Sequence, residues 1–321
     1  MPRIARRTVL GLALAAPALA QQAARPIRLI VPFAPGGGSD TLARLLAPAL
    51  SSELAATVVV ENRAGAGSQI GAEAVMRSPP DGTTLLLGDT PLATIPALQV
   101  AAGRPAPFDA AADFTPVSAL AAAPALLVVA ANAPWRDLRA FLDAARARPG
   151  TLNVASGGVA TSTHLMIELI RLNTGVQITH VPYRGAGAAL GDLLNGGVQA
   201  SVQAMATGGP MIASGQIRAI GVAAEARSAQ LPETPTFREQ GVELLASFWW
   251  GLLAPPGLPD AQAQRLHAAA QAAMSSEAVT ARMPALGLER LQLGPAEFRA
   301  MLARDTARWR EVVQAAGIKP E

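Results

Sequence analysis

Short apolar runs rich in leucine and β-branched residues alternate with stretches whose apolar side chains recur every three to four positions, and the alternation extends over most of the 321 residues. The runs predict strands at 27–31, 57–61, 84–88, 125–130, 152–155, 178–181, 198–202, 219–222 and 248–253. The periodic stretches predict helices at 40–53, 68–78, 135–148, 162–172, 186–195 and 210–214. Nearly continuous apolar strands separated by helices point to sheets that are covered on both faces. After residue 259 the pattern turns helical, at 260–274, 276–286 and 295–316, with Pro295 suited to a first turn and Gly317 to a C-cap. Two stretches, 117–124 and 241–253, read as crossings between lobes. The expected fold is therefore α/β and two-lobed, each lobe a mixed or mostly parallel sheet flanked by helices. Residues 25–122 plus 248–321 are expected in lobe 1 and 123–247 in lobe 2. A cleft between lobes joined in this way can close by hinge motion.

The first twenty residues follow another rule. Arg3, Arg6 and Arg7 precede an apolar segment at 9–19, and Ala18-Leu19-Ala20 forms an A-x-A site before Gln21. This predicts a signal peptide cleaved after Ala20 and export to the periplasm, with Arg6-Arg7 also fitting a twin-arginine route. Removing those three arginines brings 26 basic residues to 23, equal to the 23 acidic ones. A formally neutral mature chain lacks the electrostatic footprint of a nucleic-acid binder. With no cysteine in the sequence, a disulfide framework and thiolate metal sites are both excluded. Hydrophobic content of 50% with only 4% aromatic residues favours α/β layers over an aromatic-rich sandwich.

The chemistry is concentrated in two loops. The first predicted strand breaks into Pro35-Gly36-Gly37-Gly38-Ser39-Asp40 directly before a helix, and a second strand runs through Ser156-Gly157-Gly158-Val159-Ala160-Thr161-Ser162-Thr163 into another. Glycine admits close backbone approach, and a helix start leaves N–H donors with a partial positive charge. Each loop by itself can be no more than a helix cap; two of them in facing lobes point to a cradle for a small anion. Nucleotide binding is disfavoured: no P-loop occurs, and the two G-x-G-x-x-x-G stretches at 65–71 and 185–191 read as helix-start glycines. No serine sits in a nucleophile elbow, and His164, His180 and His267 are scattered, so neither a hydrolase nor a metal centre is supported. Arg63 follows a strand directly and can salt-bridge or hydrogen-bond near the cleft rim, but it reads rather as an exposed loop arginine stabilising Glu61 or a neighbouring carbonyl. Tyr183 and Arg184 follow a strand's C-terminal edge, where open α/β sheets bind ligands. Arg184 can also face solvent, while Tyr183, the sole tyrosine, can line a pocket.

Taken in order, the segments starting at Pro26-Ile27-Arg28-Leu29-Ile30-Val31-Pro32-Phe33, Val59-Val60-Glu61-Asn62-Arg63-Ala64-Gly65, Pro80-Asp81-Gly82, His180-Val181-Pro182-Tyr183-Arg184-Gly185, Leu231-Pro232-Glu233-Thr234-Pro235 and Trp250-Gly251-Leu252-Leu253 closely resemble the Bug-type receptors, periplasmic solute-binding proteins of tripartite tricarboxylate transport. The resemblance spans essentially the whole mature chain. It implies a cleft that holds a carboxylate-bearing metabolite, chiefly through backbone N–H groups, hydroxyls and bridging waters. By position, it assigns ligand contact to Phe33, Ala34, Gly38, Ser39, Asp40, Gly158, Thr161 and Ser162, with Tyr183 at the margin. Two departures stand out. Val159 and Ala160 replace a glycine and a small polar residue, and Gln203 replaces an aspartate able to face the ligand, which weakens selection for an amine. The expected protein is a monomeric, non-enzymatic receptor with no cofactor or metal. It would deliver a small organic carboxylate to the transporter's membrane subunits. A sensor feeding a membrane signalling system and an α/β enzyme acting on a carboxylate are the alternatives.

Overall fold

The computed structural model describes residues 25–159 and 161–318. The expected signal peptide, its cleavage site and Ala160 lie outside the described residues.

Among the described residues, ten strands are linked through one long strand, β4 (Thr115–Ala130), into a curled sheet with two arms. In the first arm β1 (Ile27–Val31) lies between β2 (Val58–Asn62) and β3 (Thr84–Asp89), all parallel. β9 (Ser247–Ala254) then runs antiparallel between β3 and the first half of β4, whose other edge carries β10 (Glu289–Leu293). In the second arm the far half of β4 is flanked by β7 (Ala200–Ala204) and β8 (Ile217–Val222), both antiparallel to it. β5 (Asn153–Ser156) and β6 (Thr179–Pro182) continue from β7 in parallel. The ladder of β4 changes partners at Pro124 and Ala125. Pro124 still opposes Ser247, whereas Ala125 N–H donates to the Ala246 carbonyl and its own carbonyl accepts from Ala223.

Helices cover both faces because each has an apolar stripe to bury. In α1 (Gly38–Leu54) Leu42, Leu46, Leu50 and Leu54 recur every fourth residue and are buried, while Pro48 is placed outward. α2 (Gln69–Met76) packs beside β1 and β3. α4 (Leu138–Ala147) starts at Asp137, whose carboxylate accepts the Ala140 N–H, as an N-cap should. α5 (Ser162–Thr174), α6 (Leu190–Asn195) and α7 (Met205–Ala213) belong to the second arm. α8 (Asp260–Ser275), the short α9 (Glu277–Thr280) and α10 (Pro295–Ala316) complete the chain.

Several elements differ from the sequence expectation. The helix expected at 276–286 is the short α9 followed by a separate 3-10 turn at Pro284–Leu286. The one expected at 210–214 is the end of the longer α7, and the one expected at 186–195 opens as a 3-10 turn at Ala186–Ala189. α3 (Pro91–Ala101) was not foreseen; Pro91 to Leu98 are all buried, so no polar face marks a period. β10 is short and half-exposed and gives no clean alternation. The stretch expected as a strand-like crossing at 117–124 is strand, and it is continuous with 125–130 as one element. α10 has a further role. Its Trp309 and Val313 pack with Ala93, Ile95 and Leu98 of α3 and with Leu165 of α5, so one helix touches elements of both arms.

Candidate functional site

β1 ends at Val31, and the chain turns through Pro32 to Gly37 before α1 starts at Gly38 with no side-chain cap on its first turn. What holds this loop is a polar brace behind it. Asp40 Oδ2 accepts from the Gly36 N–H at 2.9 Å and from Arg44 Nε at 3.0 Å, and Oδ1 accepts from Asn62 Nδ2 at 2.9 Å. Asn62 Nδ2 also donates to the Phe33 carbonyl at 3.0 Å, and its own Oδ1 accepts from Arg44. Burial pushes the Asp40 carboxyl upward, but the bonds from Arg44, Gly36 and Asn62, with the charge of Arg44, outweigh it and hold the pKa below the usual value. Asp40 therefore serves the loop with its side chain and turns that side chain away from the space the loop surrounds. Arg63 pairs with Glu61 at 2.6 Å, as expected of a loop arginine.

The second loop satisfies many of its own donors. Gly157 N–H donates to Thr163 Oγ1 at 2.8 Å and Gly158 N–H to Ser156 Oγ at 3.0 Å. Thr161, the N-cap of α5, donates its hydroxyl to the Gly158 carbonyl at 2.7 Å and accepts the His164 N–H. Gly158 has a φ of +128°, and a Cβ there would stand 3.1 Å from the Tyr183 carbonyl, so a side chain would be both strained and tightly packed. Beneath the loop, Ser156 Oγ lies 2.6 Å from His180 Nε2, and the His180 ring stacks on His164 at 3.9 Å. Burial lowers the pKa of His164 to about 3, helped by the neighbouring charges of His180 and Arg171. For His180, burial and Arg171 lower it to about 4. Both rings are neutral at pH 7, and the 3.7 Å approach of His164 to Glu168 is then no ion pair.

The two loops meet across a cavity of about 590 Å³. Gly36, Gly37, Gly38 and Ser39 form one side; Gly157, Thr161, Ser162 and Thr163 form another. A third strip, Arg184 to Ala188, contributes Arg184, and α7 contributes Thr207. The approach is close: atoms of Trp250, Ala206 and Thr207 lie 3.5–3.9 Å from where a Gly38 Cβ would sit. On the floor, Trp250 Nε1 donates to Ser39 Oγ at 2.9 Å, and Ser39 donates to Asp89 Oδ2 at 2.9 Å. Asp89 and Trp250 are directly opposite each other on β3 and β9.

Of the ten residues singled out from sequence, Phe33, Ala34, Gly38, Ser39, Thr161 and Ser162 line this cavity. The other four stand behind its wall. Asp40 and Gly158 brace their loops as described. Tyr183 donates its hydroxyl to Asp192 Oδ2 at 2.5 Å and its ring packs on the apolar core of the second arm. Gln203 is fully buried, with Nε2 donating to the Ala186 carbonyl and to Ser201 Oγ, both at 2.8 Å. Its amide supports the 184–188 strip from the back, where a ligand-facing position was expected. Sequence reasoning missed Asp89 and Thr207 and left Arg184 between cleft and solvent. Asp89 ends its strand at the C-terminal edge where such sheets bind ligands, and that position was the available signal.

A curled α/β sheet with two arms, whose loops converge on one cavity, is the two-lobed architecture of periplasmic binding proteins. The chain is similar to the periplasmic binding protein BugD, with 28% identity, a TM-score of 0.86 and coverage of 93% of this chain and 99% of that one. It is similar to MatC of Rhodopseudomonas palustris, solved with bound malate, at 32% identity, TM-score 0.83 and coverage of 90% and 99%. A second R. palustris protein, solved with adipate, matches at 32% identity, TM-score 0.87 and coverage of 94% and 100%. Residues 42–318 match the model of the tripartite tricarboxylate transporter family receptors, and the chain belongs to that family.

Proposed function

We propose that this protein is a periplasmic receptor that captures a small organic carboxylate in the cavity between its loops and hands it to the membrane subunits of a tripartite transporter. The observation that carries the reading is the convergence of two helix starts, α1 and α5, on one cavity whose lining, among the described residues, contains a single cation, Arg184. Helix amides suit an oxyanion without committing a buried charge. In this reading the first-turn amides of α1 hold one carboxylate, Ser162 and Thr161 face it from α5, and Arg184 meets the outer end of the ligand. Asp40, Gly158, Gln203 and Tyr183 shape the loops from behind. The malate and adipate bound by the two R. palustris relatives indicate the ligand class.

The lobes divide at 122/123 and 247/248, with the partner exchange of β4 at Pro124 and Ala125 and the Ala246–Ser247 step of the return as the pivots. The protein acts as a monomer without a cofactor, and it retains its ligand instead of converting it. A thermal-shift panel of mono-, di- and tricarboxylates tests this. Ligand at about a thousand times its Kd stabilises by roughly 4 kcal/mol, a readable rise in Tm. The reading fails if every carboxylate leaves Tm unchanged, or if the bound compound is recovered chemically altered.

A further inference from the structure

Asp89 ends β3 on the cavity floor with its carboxyl only half used. Oδ2 accepts the Ser39 hydroxyl, whereas Oδ1 is buried and has no hydrogen-bond partner. Ser39 cannot turn to a ligand without loss, because its oxygen already accepts from Trp250 and its proton is given to Asp89. An unpaired buried oxygen is costly, and since Asp89 lines the cavity, a ligand group that reaches Oδ1 would supply the missing partner.

The surroundings fix the charge state in which Asp89 can do this. α3 and β9, packed beside the end of β3, contain no charged residue. β1 contributes Arg28, which is bonded to Thr84 at the other end of β3, and α2 contributes Glu73, tied to Gln69 and Arg77. α1 contributes Asp40, engaged with Gly36, Arg44 and Asn62, and the cavity's other charged lining residue is Arg184. Among the described residues none of the ion pairs includes Asp89. Burial without a countercharge pushes its pKa up to about 7, against a smaller opposing effect of the Ser39 bond. An ionised Asp89 would also repel an anion held at the adjacent α1 amides.

We propose that Asp89 binds as a neutral carboxylic acid, donating its proton from Oδ1 to a carboxylate oxygen of the ligand, so that capture of the anion takes up a proton from solvent wherever Asp89 was ionised before binding. The inference deepens the carboxylate reading of the cavity and rests on it. A receptor built this way prefers a carboxylate to an amine at the floor, and it holds its cargo more tightly in acid than in base.

Isothermal titration of the mature protein with malate, adipate and glutamate, each in buffers of different ionisation enthalpy, reads both consequences. For the carboxylates that bind, affinity is expected to weaken about eightfold from pH 6.5 to 8. Proton uptake should be about 0.5 per ligand at pH 7 and about 0.9 at pH 8. Asp89→Asn keeps a donor of similar shape; it should abolish the uptake, flatten the profile and bind at pH 8 at least as tightly as the parent. Intact binding with a flat profile, uptake that persists in Asp89→Asn, or glutamate binding that tightens as pH rises overturns the proposal while sparing the carboxylate reading. Absence of binding by all three probes and by a wider carboxylate panel at every pH overturns that reading and the proposal with it.

Discussion

Asp40 and Asn62 show how a polar pair can shape a site it does not enter. Between them they hold the Gly36 amide, the Phe33 carbonyl and Arg44, so removing either leaves several loop groups unpaired. Asp40→Ala is expected to cost about 1–3 kcal/mol in urea denaturation and to weaken ligand affinity in the same protein. Tyr183→Phe makes the contrast. Its hydroxyl is given to Asp192, a bond that, with burial and the Asp192 charge, raises its pKa to about 12, so the variant should keep ligand affinity within about twofold while losing a little stability. A large loss of affinity in Tyr183→Phe would place that hydroxyl in the cavity after all. The sequence made the loops legible because two glycine runs before helix starts, in lobes expected to face each other, point together to an anion cradle where either one alone reads as a cap. It could not show which side of each loop a side chain takes: Asp40 and Gln203 are polar, well spaced and near the cavity, yet both bond partners within the protein, Asp40 the Gly36 amide, Arg44 and Asn62, and Gln203 the Ala186 carbonyl and Ser201. Asp89 stayed hidden for the related reason that an oxygen's lack of a partner exists only in three dimensions.

Among the elements, those with a clear period were legible and those without were not. The leucine repeat of α1 is matched by four buried positions, and β1 lies where its apolar run predicts. α3 is buried over its first two turns and therefore has no period to read, and the alanine-rich half of β4 carries too little side chain to announce a strand. The glycine of β9 has a packing reason. A Cβ on Gly251 of β9 would stand 2.4 Å from Phe298 Cζ of α10 and 2.9 Å from the Ser118 carbonyl. Gly251→Ala should therefore destabilise by about 1–3 kcal/mol through overpacking. Phe298→Ala should cost about 3–5 kcal/mol, since that ring is fully buried and meets Trp249 edge-on at 5.7 Å. Combining the two should cost less than the sum, because they share one contact; full additivity in chemical denaturation would refute the clash.

At the scale of the molecule, opposite proton effects act on the two sides of the cavity. His164 and His180 are held neutral with pKa values of about 3 and 4, while the unfolded chain takes up their protons from about pH 6.5. Their contribution to stability is whole above pH 6.5 and is lost progressively as pH falls toward 4 and then 3. Asp89 runs the other way: with a folded pKa of about 7 and an unfolded value near 3.8, it costs the ligand-free protein stability as pH rises from about 4 to 7. Ligand-free melting curves should therefore show Tm falling below pH 6 in the parent and falling less in His180→Gln. Asp89→Asn should raise Tm at pH 8 more than at pH 5. Equal gains at both pH values would mean that Asp89 is not the group titrating.

The indole of Trp250 closes the cavity floor with its N–H on Ser39, while Trp135, Trp249 and Trp309 are buried elsewhere. An arriving solute meets one ring out of four, that of Trp250. Excitation at the red edge of tryptophan absorbance should thus report occupancy directly, giving the molecule a built-in optical gauge that needs neither dye nor fused reporter.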